Sequence, residues 1–243
     1  MFATLDIGNT KTKATFFIGN EVQTVFTGSL KECFSECHDR DVIGGAVCTT
    51  VDLKASDLRL IEEDPRWWIF SSECRLPITV DYTTPHTLGS DRLCGVLGAY
   101  SVYGGVPAMV ADAGTALTVD VLAAGGRYAG GNISPGLEMR FKALNSFTSR
   151  LPLMTKGPVD VAFGNSTESA IRCGVERGLA HEIAGSFVRA RREYGCKMLV
   201  LTGGDADFIR NYVEEIMPED GAVVVNPCLV AYGLKKAYEY NYE

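Results

Sequence analysis

Two short acidic turns in the sequence carry residue types that bind a phosphate. The first turn reads Asp-Ile-Gly-Asn-Thr at 6–10, follows an apolar segment at 2–5 and is followed by Lys13. Glycine lets backbone N–H groups approach a phosphate closely, and the Asn and Thr side chains add donors. Asp6 could hold Mg²⁺ through water, and Lys13 would add positive charge. The alternative interpretation is a tight hairpin in which Asn and Thr satisfy only their own turn.

The second turn repeats the first at a constant offset. Asp112 corresponds to Asp6 and Thr118 to Thr12, because 112 − 6 and 118 − 12 both equal 106. Each copy predicts a strand, an acidic turn, a strand, a hairpin turn and a further strand. Two such turns from related halves would grip the β- and γ-phosphates of a nucleotide, which is the positioning that phosphoryl transfer mostly requires.

Asp91 is the candidate proton acceptor, in the segment Gly-Ser-Asp-Arg at 89–92 that opens a predicted helix. A carboxylate there could take a proton from an attacking hydroxyl, and Arg92 could fix the substrate or stabilise charge in the transition state. The alternative is structural, since acidic residues in the first turn of a helix are favoured by its dipole regardless of chemistry.

Two glycine-rich segments are further candidates for contact with a ligand. Thr-Gly-Gly-Asp-Ala at 202–206 joins a predicted strand to a predicted helix, where glycine permits close approach of a nucleoside and the helix N-terminus favours an anion. The same residues also suit a plain strand-to-helix turn with an N-cap. Gly-Gly-Asn-Ile-Ser-Pro-Gly at 130–136 ends a predicted strand and either makes room for a ligand or only turns the chain.

Hydrophobic periodicity and turn residues give the elements that must position these candidates. Strands are predicted at 2–5, 13–18, 42–47, 67–70, 107–111, 117–122, 197–201 and 223–225. Helices are predicted at 30–40, 53–63, 90–103, 205–217 and 229–238, and from a cap at Asn165 to a stop at Gly195. Strands that alternate with helices indicate a mixed α/β sheet. We therefore expect an α/β fold of two similar halves, at 1–105 and 106–243, flanking a nucleotide cleft.

Composition excludes several classes of function. The 243 residues include 23 Lys and Arg against 30 Asp and Glu, for a net charge of −7, so we expect no nucleic-acid or membrane partner. No apolar run reaches the ~18–20 residues of a membrane span, and the first residues lack the basic and apolar regions of a secretory signal. The eight cysteines favour reduced thiols and a cytoplasmic location.

In their order along the chain, these motifs resemble those of the type III pantothenate kinase family. The matching segments are DIGNTKTK at 6–13, GSDR at 89–92, DAGTALTVD at 112–120, GGNISPG at 130–136 and TGGDA at 202–206. The family lies in the superfamily of acetate and sugar kinases, Hsp70 and actin, so the resemblance implies two ribonuclease-H-like halves. It also implies a homodimer that uses ATP to phosphorylate the primary hydroxyl of pantothenate, the first step of coenzyme A biosynthesis.

The resemblance implies a role for each matching residue. Asp91 would be the catalytic base, Asp112 would bind a monovalent cation (K⁺ or NH₄⁺), and Asp6 would bind Mg²⁺ through water. The residues that would contact ATP are Asp6, Ile7, Gly8, Asn9, Thr10, Lys11, Thr12, Lys13 and Thr115. The residues that would contact pantothenate are Tyr82, Gly89, Ser90, Asp91, Arg92 and Thr167.

The chain departs from the family pattern at two places. Ser166 separates Asn165 from Thr167, where the family has Gly-x-Asn-Thr. Cys48 lies in Val-Cys-Thr-Thr at 47–50, where the family more often has Ser-Val-Val-Pro. Two alternatives stay open. One is a kinase of the same superfamily for another small alcohol or acid, and the other is a non-catalytic regulatory or accessory protein on the same fold.

Overall fold

The computed structural model describes residues 1–8, 11–71, 73–218 and 221–242, which form two compact units. Unit 1 comprises Met1–Gly105, Gly126–Tyr128 and Cys228–Glu243, and unit 2 comprises Val106–Gly125 and Ala129–Pro227. The C-terminal segment therefore packs with unit 1, although it follows the second repeat in sequence. The predicted halves at 1–105 and 106–243 were drawn from the repeat in the sequence, whereas the two units are defined by packing. The predicted boundary between the halves therefore stays a prediction.

Eleven strands and eight helices make up the described part of the chain. The strands are β1 (Phe2–Ile7), β2 (Thr12–Ile18), β3 (Glu21–Gly28), β4 (Gly44–Thr49), β5 (Trp67–Ile69), β6 (Thr79–Val80), β7 (Ala108–Ala113), β8 (Ala116–Ala123), β9 (Arg127–Pro135), β10 (Met198–Thr202) and β11 (Ala222–Val225). The helices are α1 (Leu30–Asp39), α2 (Ala55–Glu62), α3 (Ser90–Val102), α4 (Leu137–Ser146), α5 (Thr167–Arg172), α6 (Gly178–Tyr194), α7 (Ala206–Glu214) and α8 (Leu229–Tyr242). Among the described residues, none of the helices combines the length and the hydrophobicity that a membrane-spanning helix needs.

The two sheets confirm the predicted duplication. Strands of the first sheet lie in the order β3-β2-β1-β4-β5, and those of the second in the order β11-β10-β7-β8-β9-β6. Five strands of the second sheet, β9-β8-β7-β10-β11, repeat the order β3-β2-β1-β4-β5 of the first. The central strand in each case is the acidic strand, which carries Asp6 in β1 and Asp112 in β7. In both sheets the acidic strand pairs antiparallel with the strand that follows it and parallel with the other neighbour.

The constant offset of 106 does not hold through the second strand of each repeat. Thr12 pairs with Ile7, whereas Thr118 pairs with Asp112, so the two threonines are not equivalent as their spacing predicted. The reason is the turn length, since residues 8–11 separate the last paired positions in the first repeat and only 114–116 in the second. The aspartates themselves remain equivalent because both precede the turn.

Helix α3, which carries Asp91 in its first turn, is fixed by α8. A Cβ at Gly98 would lie 2.9 Å from the carbonyl carbon of Leu229, and one at Gly233 would lie 2.7 Å from the carbonyl carbon of Cys94. The absence of side chains at both glycines thus lets the two helix backbones touch. This close packing within unit 1 holds the beginning of α3 in place.

The long helix predicted from Asn165 to Gly195 differs from the observed one in two ways. Its N-cap is Ser166 rather than Asn165, because the Ser166 hydroxyl accepts a hydrogen bond from the backbone N–H of Ser169 in a reciprocal cap. A π-helical turn at Cys173–Arg177 then separates α5 from α6. The predicted end is confirmed, since Gly195 adopts a left-handed conformation with φ of 70°.

Candidate active site

Asp6 lies at the end of the central strand of unit 1, between two cross-strand neighbours. Lys13 on β2 is its antiparallel partner and Cys48 on β4 its parallel partner. The buried Cys48 thiol donates a hydrogen bond of 3.6 Å to Asp6 Oδ1. Strand pairing therefore orients the carboxylate and places one lysine and a weak thiol donor beside it.

The pKa of Asp6 reports the proximity of a second carboxylate. Burial and, after it, the negative charge of Asp91 raise the pKa of Asp6 from 3.8 to about 6, against the opposing effects of Cys48 and Lys13. The structure thus brings Asp6 and the candidate base Asp91 near each other within unit 1. Two neighbouring carboxylates favour a bound cation, which would relieve their repulsion.

Asp91 is positioned by the residues beside it. Ser90 Oγ donates a hydrogen bond of 2.7 Å to the carbonyl oxygen of Thr49, which ties the first turn of α3 to the end of β4. Asp91 Oδ1 accepts a hydrogen bond of 2.8 Å from the backbone N–H of Arg92. A Cβ at Gly89 would come within 2.6 Å of Asp91 Oδ1, so glycine leaves room for the carboxylate there.

Arg92 and Tyr82 also meet in unit 1. The Arg92 side chain is buried, and its guanidinium carbon lies 5.9 Å from the centroid of the Tyr82 ring. That ring meets Tyr128 edge-on, with 6.0 Å between centroids. The residues expected to contact pantothenate from 82 to 92 are thus brought together by the fold.

Asp112 occupies in unit 2 the place that Asp6 occupies in unit 1. Its parallel partner is Thr202 on β10 and its antiparallel partner is Thr118 on β8. A Cβ at Gly114 would lie 3.1 Å from Asp112 Oδ1, and one at Gly203 would clash with the same oxygen. Gly114 and Gly203 therefore leave a space for the Asp112 carboxylate that a larger residue at either position would fill. We call this space, lined by Gly114 and Gly203, the cradle of unit 2.

Three motifs converge around this cradle. The backbone N–H of Gly136 donates to the carbonyl oxygen of Thr115 over 3.2 Å, and that of Asp205 donates to the carbonyl oxygen of Ala113 over 2.9 Å. The segments at 112–116, 130–136 and 202–206 therefore form one site in unit 2. The Thr115 residue itself is exposed.

Replacing Gly203 by Ala should destabilise the protein by about 2–4 kcal/mol. Gly203 has φ of +92°, and a Cβ there would lie 2.6 Å from the Ala113 carbonyl as well as against Asp112, so backbone strain and overpacking add. Denaturant unfolding measures the loss. Gly125→Ala is the matched control, because Gly125 has φ of +75° and open space around it. Equal losses in the two variants would show that the Asp112 cradle is not tight.

The other predicted contacts are placed as follows. In the first turn, the backbone N–H of Gly8 donates to the carbonyl oxygen of Lys11 over 3.2 Å, Ile7 and Thr12 are buried, and Lys11 is exposed. Asn9 and Thr10 lie outside the described residues. Thr167 is the exposed first residue of α5, in unit 2.

The donor sets at the two aspartates fit hard cations. The described residues contain no group of three or more His, Cys, Asp or Glu that could hold a metal ion. Mg²⁺ does not require such a group, because it usually binds through one or two carboxylates, waters and substrate phosphates. The paired carboxylates of Asp6 and Asp91 and the glycine-lined cradle of Asp112 provide oxygen ligands of this kind.

Sequence reasoning missed two polar contacts of the site. Cys48 reaches Asp6 from a strand 42 positions away, and no local pattern predicts that contact. Glu176 is fully buried and accepts a hydrogen bond of 3.0 Å from the backbone N–H of Gly157. The signal for Glu176 was available, because it precedes Leu179 and Ile183 at helical spacing and therefore lies on the apolar face of its helix.

Comparisons with known proteins agree in pointing to one family. A model of type III pantothenate kinases matches residues 3–189. A type III pantothenate kinase from Phocaeicola vulgatus is 38% identical over 242 residues, covering 98% of this chain and 97% of its own. One from Porphyromonas gingivalis is 34% identical over 244 residues, covering 98% and 97%.

Solved structures show the same fold at lower identity. A Baf family protein from Campylobacter jejuni has a TM-score of 0.64 and 21% identity, covering 99% of this chain and 98% of its own. A ROK family glucokinase from Streptomyces griseus, solved with glucose and AMPPNP, has a TM-score of 0.55 and 11% identity, covering 99% of each chain. The predicted actin-like α/β fold is confirmed by these likenesses, which bear on fold alone.

Proposed function

The chain belongs to the type III pantothenate kinase family, and on that premise we propose that it transfers the γ-phosphate of ATP to the primary hydroxyl of pantothenate, the first step of coenzyme A biosynthesis. The observation that carries the proposal is that Asp91 lies near enough to Asp6 for its charge to raise the pKa of that carboxyl, at the place where Ser90 ties the first turn of α3 to the end of β4. This arrangement would put a proton acceptor near a carboxylate that can hold Mg²⁺, as a kinase for an alcohol requires.

In this proposal unit 1 supplies the base and the residues that orient the acceptor. The pantothenate hydroxyl attacks the γ-phosphorus in line, forming a new O–P bond as the bond to the ADP oxygen breaks. Asp91 takes the hydroxyl proton on its carboxylate. Arg92 holds the substrate or stabilises charge in the transition state, and Tyr82, Gly89 and Ser90 line the acceptor site.

On the resemblance to the family, residues 6–13 bind the phosphates of ATP through backbone N–H groups, side-chain donors and the Lys13 ammonium in this proposal. The resemblance also assigns a contact with ATP to Thr115. Asp6 would hold Mg²⁺ through water, and Asp112 would hold K⁺ or NH₄⁺. Bound Mg²⁺ neutralises charge on the phosphate oxygens during transfer.

We propose the remaining properties on the resemblance to the family. The protein would be a cytoplasmic homodimer, and Thr167 would contact pantothenate. All eight cysteines are free thiols, which supports a reducing compartment.

A coupled assay of ADP release across candidate acceptors tests the proposal. We expect release with pantothenate, stimulation by K⁺, and little release with sugars or short hydroxy acids. Release with one of those other acceptors instead would favour a different kinase of the superfamily. A gel shift with DNA together with no ADP release would favour a regulatory protein.

A further inference from the structure

Two of the three segments around the cradle of unit 2 carry a carboxylate and no cationic side chain, whereas the third receives a hydrogen bond of 2.8 Å from Arg140 Nε to the carbonyl oxygen of Pro135. The segment at 112–116 contains Asp112 and no lysine or arginine, and the segment at 202–206 adds Asp205. By contrast, the first turn at 6–13 contains two lysines. Besides the K⁺ or NH₄⁺ proposed at Asp112, a triphosphate bound beside two carboxylates would be stabilised by a cationic side chain from another part of the chain.

Lys156 brings a cation to this place. Its Nζ forms a short ion pair with Asp205 Oδ1, and its side chain remains 46% exposed, against 19% for Asp205. The ammonium also lies 5.5 Å from the centroid of the Phe208 ring. Since the backbone of Asp205 is bonded to Ala113, Lys156 stands at the edge of the cradle with its charge accessible.

A buried polar network fixes the backbone next to Lys156. The Glu176 carboxylate is fully buried and accepts a hydrogen bond of 3.0 Å from the backbone N–H of Gly157. The Tyr212 hydroxyl donates to Glu176 over 3.4 Å and accepts from the backbone N–H of Val159 over 3.1 Å. The backbone N–H groups of Gly157 and Val159, in the irregular segment at 147–164, thus donate to buried side chains of unit 2.

The free-energy cost of burying the Glu176 carboxylate exceeds what the ion pair of Lys156 with Asp205 could return in stability. An exposed pair such as that of Lys156 with Asp205 contributes little to stability. Burying the Glu176 carboxylate is costly unless it is well bonded, and burial raises its pKa. A buried acid that fixes an exposed lysine is therefore better explained by a requirement on where that lysine lies.

We propose that Lys156 is a nucleotide-binding residue whose ammonium leaves Asp205 to bind a phosphate of ATP, and that Glu176 is a positioning residue for it. The inference rests on the proposed function only in taking ATP as the nucleotide. Asp205 holds the ammonium in place until the phosphate, a stronger anionic partner, replaces it.

Calorimetric titration of the full chain with AMPPNP and Mg²⁺ tests this role. We expect Lys156→Met to weaken binding by ~10-fold, as loss of a charge-assisted hydrogen bond would, and Lys156→Arg to recover most of it. Asp205→Asn should bind AMPPNP more tightly, because the ammonium is then free for the phosphate. Lys142→Met is the matched control, since Lys142 is an exposed lysine of the same unit paired with Glu138 at 2.7 Å.

Glu176 is tested by the same titration, with thermal unfolding to confirm that each variant is folded. Glu176→Ala should weaken binding in a chain that carries Lys156 and change it little in a Lys156→Met chain. Wild-type affinity in Lys156→Met, or equal losses in Lys156→Met and Asp205→Asn, would overturn the inference. Such results would leave pantothenate-dependent ADP release by the wild type untouched, so the two proposals fail separately.

Discussion

Asp91→Asn should lower the turnover number by ~10²–10⁴ while leaving the affinity for ATP near that of the wild type. The amide keeps the size of the side chain and can still accept from the Arg92 N–H, but it cannot take up the hydroxyl proton. Steady-state kinetics with pantothenate, together with titration of AMPPNP, separate these two effects.

The control for Asp91 is an acidic residue in the same helical setting. Asp57 lies in the first turn of α2, as Asp91 does in the first turn of α3, so both interact favourably with a helix dipole. Asp57→Asn should alter stability by a few tenths of a kcal/mol and leave turnover unchanged. If Asp91→Asn behaved like Asp57→Asn, the assignment of the base would be wrong.

Asp6→Asn should abolish most activity and yet make the folded state more stable at pH 8, by about 1–3 kcal/mol. Its pKa of about 6 in the fold exceeds the ordinary value of 3.8, so the folded state holds this proton more tightly than the unfolded state does. The resulting stabilisation is present below pH ~4 and is lost as the pH rises through 6. Asp6→Asn has no carboxyl to lose a proton, so its free energy of unfolding does not fall in this way as the pH rises. The free energies of unfolding of the variant and the wild type should converge near pH 4.

Denaturant unfolding from pH 4 to 8 measures the effect of Asp6. Asp81→Asn is the control, because it removes an exposed carboxylate of unit 1 that is paired with Arg127. Asp91→Asn should shift the Asp6 transition to lower pH, since it removes a nearby negative charge. An Asp6 transition at the same pH in Asp91→Asn as in the wild type would contradict the proximity of the two carboxylates.

Much of the fold could be predicted because hydrophobic periodicity and turn residues in short segments indicate the strands and helices. Strand, turn and helix signals located the central strands and the helix that begins at Ser90, and the repeat predicted two similar α/β halves. The register of β8 on β7 could not be predicted from the offset of 106. One residue fewer in the turn after Asp112 shifts the pairing, while the offset of the aspartates is unchanged.

The side-chain contacts around the candidate site residues could not be predicted, because each joins residues that are far apart in the sequence. Cys48 meets Asp6 only through the parallel pairing of β4 with β1. The spacing of Glu176 with Leu179 and Ile183 indicates that it lies on an apolar face, but no local pattern indicates its partner Gly157, which lies 19 positions away. Lys156 lies in a segment without regular structure, and its role emerges only from the position of Asp205.

In the proposed reaction this chain transfers the γ-phosphate of ATP to the primary hydroxyl of pantothenate. Mass spectrometry of a mixture of the protein with pantothenate, ATP, Mg²⁺ and K⁺ detects that transfer. We expect pantothenate to gain a single phosphoryl group on that hydroxyl, in equal amount to the ADP formed. Recovery of unmodified pantothenate from a mixture that has formed ADP would show that the phosphoryl group goes elsewhere.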